Sequence, residues 1–522
     1  MTRVLPILIL TVSFAPAAAK DCESALCRLV TATTNNPQLE RFYAPTDYAF
    51  AWTRSGHATD QARALIDAFQ QAESKGLNAA DYDASDRLAQ PASESDLAEF
   101  DLALTSAAVR YVSDLHFGKA NPETFHNLAD PKEEAADFPA FLRQRLVNAT
   151  DVKAVLDALE PPYPGYRRTE QALQHYLAMA REGSLPVMPV TAKPVEPGAP
   201  YAGTAQLATV LRRLGDLPDL PTSSATYDAP LVEAVKHFQL RHGLDPDGRL
   251  GKATLAQLNT PLSQRILQLR LTMERWRWAP HSFTQPPIVV NIPEFRLRAL
   301  NPQYRTELEM KVVVGSAYGD HQTPVFAAYM RYLIFQPYWD VPYSISRKEL
   351  APKIEKDRTY LAKNDYEVVT EQGKVVGDES VDDTTLAQIR SGALRVRQVP
   401  GPKNALGLVK FLLPNEHDVY LHDTPATELF SKTRRDFSHG CIRVEKPEDL
   451  AVWVLRNKPE WTRDRIRDAM NGDETLRVTL DTPIPVLIVY ATAVVPEDGE
   501  VRFFADIYKQ DFELARQLDT RR

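Results

Sequence analysis

The sequence predicts an α+β protein: an α-helical scaffold, interrupted by a small inserted three-helix unit, followed by a β-rich domain. Three observations carry that expectation. Apolar residues recur at three- and four-residue steps from about Pro45 to Gly183, short β-branched or alternating runs dominate from Ile288 onward, and five prolines between residues 186 and 200 stand between helical stretches. With 522 residues, two to four domains are expected.

The elements follow in chain order. Residues 1–19 combine Arg3, an apolar stretch from Val4 to Phe14 broken by Pro6, and the small residues Ala17, Ala18 and Ala19 before Lys20, the pattern of an export signal. A soluble exported protein is expected, with an uncleaved membrane anchor as the alternative. In an oxidising compartment Cys22 and Cys27 could close a small loop, leaving Cys441 as the odd thiol among three cysteines. Asp60 is a candidate helix cap, Leu65, Phe69 and Ala72 share a stripe, and Gly76 stands where that helix should stop. Leu97, Phe100, Leu104, Ala108, Tyr111 and Leu115 form a second, longer stripe. His57, His116, His126 and His175 are scattered and suggest no chemistry.

After the proline-rich connector, helices are expected from Leu207 to Leu214, from Tyr227 onward, and from Ala253 to Leu258, with Gly243 to Gly248 as a turn and Phe238, Leu244 and Leu255 as a small core. The expected organisation is therefore a scaffold over 40–200 and 262–282, the inserted unit over 203–260, a sheet domain over 285–480, and a terminal hairpin and tail over 481–522. Glu497, Asp498 and Gly499 supply the hairpin signal. Residues 344–395, polar and rich in charge, interrupt the sheet domain as an excursion over its site or a mobile lid.

Composition excludes one class of function. Sixty-one Lys and Arg against 69 Asp and Glu give a net charge of −8, which opposes a counterion-driven nucleic-acid binder. The chemistry concentrates between Tyr420 and Arg443. Cys441 follows Ser438, His439 and Gly440, and His422 lies nineteen residues earlier at the end of an alternating strand. A thiol becomes a nucleophile once ionised, and an imidazole can take its proton and return one to a leaving amine. Gly440 lets backbone approach a substrate, and N–H groups near Cys441 could hold an oxyanion. In an extended segment Arg443 shares a face with Cys441, where a guanidinium could grip a carboxylate. The residues point to acyl transfer by a Cys/His pair. A buried structural Cys441, a zinc site from His422, His439 and Cys441, and His439 as a hydrogen-bonding strut remain as alternatives.

Two stretches resemble known families. LVEAVKHFQLRHGLDPDGRLGKATLAQLN is similar to a peptidoglycan-binding domain, which implies docking on glycan or stem peptide; a purely structural three-helix unit is the alternative. HDT followed sixteen residues later by SHGCIRV resembles the signature of the L,D-transpeptidase catalytic domain. FQPYWDVPYSI, QVPGPKNALGLVKFLLPNEHDVYLHDTP and PIPVLIVYATAVVPEDGEVRFFADIY extend the resemblance to the large Gram-negative branch, with scaffold, peptidoglycan-binding and capping parts. That resemblance implies Cys441 as the acylated nucleophile and His422 as its acid/base partner. It implies Ser438, His439, Gly440 and Arg443, with Trp339 and Asn404 from the quoted runs, as the substrate and oxyanion shell, and 344–395 as the capping insertion. It implies attack on the bond between meso-diaminopimelate and D-Ala of a donor tetrapeptide, transfer to the diaminopimelate amine of an acceptor stem, acylation by carbapenems, and a periplasmic location. No metal and no cofactor is implied. The expected partners are stem peptides and glycan, with wall-synthesis enzymes beside them, no nucleic acid, and membrane only through an uncleaved signal. An L,D-carboxypeptidase, a Cys/His hydrolase and a non-catalytic wall-binding protein are the alternative functions; Cys normally precedes His in such hydrolases, and here His422 comes first.

Overall fold

The computed structural model describes residues 22–33, 36–83, 93–120, 137–218, 226–376 and 380–520. The export-signal reading, His126 and residues 377–379 of the expected insertion lie outside the described residues. These residues fall into two compact units, one within 1–70, 79–112 and 137–156, the other within 71–78, 113–136 and 157–522. A helical N-terminal region precedes a β-rich domain, as the periodicities require.

In the first unit, α1 (Ala25–Ala32) carries Cys27, which is disulfide-bonded to Cys22, and α2 (Pro37–Tyr43) follows. The Thr59 hydroxyl accepts from the Ala62 N–H at 3.1 Å, so Thr59 rather than Asp60 caps α3 (Asp60–Gln70). Along α4 (Glu94–Phe117) the expected stripe is buried at Phe100, Leu104, Ala108 and Tyr111. One polar residue on this helix was not anticipated. The Asp101 carboxylate accepts from the N–H groups of Ala51 at 3.0 Å and Trp52 at 2.8 Å and from the Tyr43 hydroxyl at 2.8 Å, which fixes the loop entering α3.

The second unit opens with α5 (Pro164–Arg181) and continues through the inserted module of α6 (Thr204–Arg213), α7 (Ala229–Arg241) and α8 (Lys252–Leu258). Asp228 caps α7 by accepting from the Leu231 N–H at 3.4 Å. The module has its own core, centred on Phe238 with Leu207, Val235, Leu250 and Leu255. Leu244, expected in that core, is only half-buried, and Leu250 replaces it. Phe238 is fully buried, so Phe238→Ala is expected to cost about 3–5 kcal/mol, read from the shift of the urea unfolding midpoint. Chain leaving the module forms α9 (Leu262–Arg277), which returns to pack on α5 through Leu269, Met273, Leu173 and Tyr176.

The sheet domain then builds a closed ring. Its strands are β1 (Ile288–Asn291), β2 (Arg296–Leu300), β3 (Thr306–Gly315) and β4 (Phe326–Phe335), then, after the insertion, β8 (Val409–Leu412), β9 (Leu421–His422), β10 (Asp436–Ser438), β11 (Ile442–Val444) and β12 (Leu476–Val489). The order is β10-β3-β11-β9-β8-β4-β12-β1-β2, and an additional β2–β3 pairing closes it. Alternation sorts the side chains: Val409, Phe411, Leu421, Ile442 and Val444 enter the core beneath helices α12 (Pro447–Val454) and α13 (Arg463–Asn471), while intervening positions face outward. The boundary expected at 480/481 falls inside β12 and is corrected by it. β12 carries Pro483 and Pro485 through a register shift between Thr479 and Ile484 and continues. The terminal hairpin is short, Ala493–Val494 against Arg502–Phe503, with Gly499 at φ 81°.

Between β4 and β8 the insertion forms a separate layer. Strands β5 (Trp339–Asp340), β6 (Tyr366–Val369) and β7 (Arg395–Gln398) pair in the order β5-β7-β6, under α10 (Ala351–Lys356) and α11 (Asp383–Ser391). Leu350, Ile354, Leu386, Ile389 and Val396 give it a core of its own. It is a folded cap rather than a loose excursion, and its strands extend slightly beyond 344–395.

Candidate functional site

Parallel pairing places the two suspected reactive residues together. β9 runs beside β11 with Leu421 opposite Ile442 and His422 opposite Arg443. Because Leu421 and Ile442 point into the core, Tyr420, His422, Cys441 and Arg443 share the outward face. Lys410, opposite His422 on the neighbouring strand, joins them.

His422 is buried, and its Nδ1 donates to the Asp423 carbonyl at 2.6 Å. That bond fixes the tautomer and leaves Nε2 as the accepting nitrogen of a neutral ring. Burial, reinforced by Arg443 and then Lys410, pulls the imidazole down to about 3. Cys441 is partly exposed at its surface, yet burial of the sulfur pushes the thiol up, opposed by hydrogen bonding from the Tyr420 N–H and phenol and by the Lys410 charge. Among the described residues the thiol donates to the Asp418 carbonyl at 3.7 Å and has no hydrogen bond to His422. Both shifts favour a neutral thiol beside a neutral imidazole.

The turn before Cys441 is held from several sides. Ser438 Oγ donates to the Cys441 carbonyl at 2.5 Å and accepts from the Gly440 N–H at 3.2 Å. The Thr323 hydroxyl donates to the Gly440 carbonyl at 2.7 Å, and the Tyr508 phenol donates to the Gly315 carbonyl at 2.5 Å beneath it. Gly440 sits at φ 120°, where a side chain is strained. Gly440→Ala is expected to cost about 1–3 kcal/mol in thermal or urea unfolding and to slow acylation more than that loss alone would. The Gly440 N–H is engaged by Ser438.

The remaining suspects divide. His439 Nε2 meets Glu349 Oε1 of the cap at 2.5 Å, and its ring lies against His321 with centroids 4.6 Å apart. This geometry fits the strut. Arg443 is half-buried, its Nε lacks a hydrogen-bond partner among the described residues, and burial lowers its pKa. Asn404 is buried, and its amide donates to the carbonyls of Pro337 at 3.0 Å and Val399 at 2.9 Å, so it shapes the loop after β7. Trp339 stands in the cap sheet, 6.3 Å from Tyr366 by ring centroids. Among the described residues no group of three or more His, Cys, Asp and Glu is arranged to hold a metal ion. No described helix is long and apolar enough to cross a membrane.

Sequence reasoning missed Tyr420, Lys410, Glu349 and Thr323. Tyr420 was within reach, two residues before His422 and so on its face. Lys410 emerges only once β8 is known to flank β9; its ammonium lies 4.5 Å from the Tyr420 ring centroid, with burial lowering its pKa.

Comparison with known proteins yields three domain matches. Residues 37–173 match the family described as "Scaffold domain", residues 202–258 "Putative peptidoglycan binding domain", and residues 285–485 "L,D-transpeptidase catalytic domain". A curated relative from Haemophilus influenzae, described as "Putative L,D-transpeptidase", is 33% identical over 230 residues, 44% of this chain and 45% of that protein. The chain therefore spans less than half the length of that relative. A crystal structure of the L,D-transpeptidase (residues 123–326) from Xylanimonas cellulosilytica covers 58% of this chain and 100% of its own at 14% identity, with a TM-score of 0.18 too low to bear on the fold.

Proposed function

We propose, for a chain that carries an L,D-transpeptidase catalytic domain beside a scaffold domain and a peptidoglycan-binding domain, that it cross-links peptidoglycan by cysteine-based acyl transfer. The single observation that carries the residue assignment is the shared outward face of Cys441 and His422 on paired strands, with the His422 tautomer fixed for proton acceptance. In the reading we favour, Cys441 Sγ attacks the diaminopimelate carbonyl of a donor tetrapeptide while His422 Nε2 takes the thiol proton. Collapse of the tetrahedral intermediate breaks the amide bond, and His422 returns the proton to departing D-Ala. The diaminopimelate amine of an acceptor stem then attacks the thioester, transferring the acyl group and regenerating the thiol. Lys410 and Arg443, neither within ion-pair distance of a carboxylate among the described residues, suit a donor carrying free carboxylates. The expected setting is the cell wall on the periplasmic side.

The test is mass spectrometry of products formed from tetrapeptide muropeptides. Cross-linked dimer with loss of D-Ala supports the reading; tripeptide alone moves it to L,D-carboxypeptidase, and no turnover moves it to a wall-binding protein. The cap bears on this balance. If the Glu349–His439 contact helps hold it over the thioester, Glu349→Gln raises the ratio of tripeptide to cross-linked product, and an unchanged ratio rejects the shielding role.

A further inference from the structure

The segment between β3 and β4 reaches the Cys441 turn, and one of its side chains is committed to that turn. Thr323 is fully buried. Its hydroxyl donates to the Gly440 carbonyl at 2.7 Å and accepts from the Gly315 N–H at 2.8 Å. The backbone around it is clamped as well, because Gly315 leaves no room for a Cβ against the His321 carbonyl and the Thr323 N–H.

Thr323 is held in turn from the far end of the chain. Its N–H donates to the Tyr508 phenol oxygen at 3.3 Å, while that phenol donates to the Gly315 carbonyl at 2.5 Å. The Tyr508 N–H donates to the Tyr490 hydroxyl at 2.8 Å, and the Tyr490 hydroxyl donates to Asp506 Oδ1 at 2.6 Å. Asp506 Oδ2 accepts from the Asp511 N–H at 3.1 Å in the first turn of α14 (Gln510–Thr520), and Asp511 pairs with Arg275 of α9 at 2.5 Å. A connected set of hydrogen bonds thus joins α9 and the C-terminal helix to the carbonyl beside Cys441. Tyr490 and Tyr508 lie outside residues 285–485, the stretch that matches the catalytic domain.

The carbonyl held by Thr323 shares a planar peptide unit with the Cys441 N–H, and in a trans unit the two point in opposite directions. Fixing one fixes the other. The Cys441 N–H has no hydrogen-bond acceptor among the described residues. It belongs to the same residue as the sulfur, and so stands near any carbonyl that the sulfur attacks. We propose, resting on the reading of Cys441 as nucleophile, that Thr323 is a positioning residue for acyl transfer: anchored by Tyr508, its hydroxyl sets the Gly440–Cys441 peptide plane so that the Cys441 N–H meets the oxyanion. As the S–C bond forms, the carbonyl π pair moves onto oxygen and the thiol proton passes to His422 Nε2. The aimed N–H then stabilises the charged oxygen.

The test compares two reactions of one thiol. A carbapenem acylates it through a tetrahedral oxyanion, the β-lactam C–N bond opening and the proton ending on the ring nitrogen. Iodoacetamide alkylates it by displacing iodide, with the thiol proton lost to solvent and no oxyanion formed. Both rates are followed on the full chain by mass spectrometry of intact protein. Thr323→Val is expected to slow the acylation step at saturating carbapenem at least about tenfold, while alkylation changes by less than about twofold. Thr323→Ser, which keeps the hydroxyl, restores acylation. Tyr508→Phe slows acylation in the same selective way and carries the test if Thr323→Val does not fold. Equal slowing of both reactions would make the hydroxyl a support for the thiol and overturn the proposal, as would wild-type acylation rates in the folded variants. A wild type that a carbapenem does not acylate at Cys441 would overturn the nucleophile reading, and the proposal with it.

Discussion

Cys441→Ala is expected to lower D-Ala release from tetrapeptide stems by about 10⁴-fold or more, with no covalent adduct formed by a carbapenem. The size follows from what is removed. Positioning groups such as Tyr420, Lys410 and Arg443 remain, but the covalent route has no nucleophile, and water is a poor substitute in a site that shields its sulfur. The fold should tolerate the change, because Cys441 is partly exposed and the bond lost is a weak 3.7 Å contact from sulfur to the Asp418 carbonyl. The thermal midpoint should therefore move by no more than a few degrees, which separates a chemical loss from an unfolded sample. Mass spectrometry of intact protein after carbapenem exposure checks the adduct directly. A wild-type adduct located on any residue other than Cys441, or turnover surviving in the alanine variant, would refute the nucleophile.

How much of this was legible before folding depends on the range of the contact. Cys441 and His422 could be named because each lies in a short motif and because strand alternation fixes the faces of β9 and β11 locally. Tyr420 was equally local and was missed only because no role was sought for it. Lys410 required knowledge that β8 pairs with β9, and Glu349 required the docking of a cap whose own core is built from residues spread over 341–396. Such contacts are set by tertiary packing and leave no periodicity to read. Asn404 sits in a run that suggests the site, while its amide is fully used by the backbone around it. In β12 a bulge carries Pro483 and Pro485 through a strand that pairs on both sides, a detail set by its neighbours rather than by local propensity.

His422 should reveal itself through pH as well as through substitution. His422→Gln is expected to slow acylation about a thousandfold, the scale of a lost general base, while leaving Cys441 in place. In the wild type the imidazole is held at about 3, against about 6.5 in the unfolded chain, so the folded form resists protonation across that window. A depressed histidine contributes stability that is fully present above about pH 6.5 and is lost as pH falls towards about 3, with a slope of about 1.4 kcal/mol per pH unit. Urea unfolding at several pH values between these limits should show that slope reduced in His422→Gln. The same protonation governs rate. Because attack needs a neutral imidazole and the resting thiol is un-ionised, single-turnover D-Ala release should hold nearly level from pH 7 down to about pH 4, rather than halving near pH 6.5. Measuring the acylation step alone keeps the acceptor amine, which must itself be neutral to attack, from imposing its own acidic limb. A half-maximum near pH 6.5 would mean that His422 titrates as a solvated imidazole, and would overturn its depressed pKa.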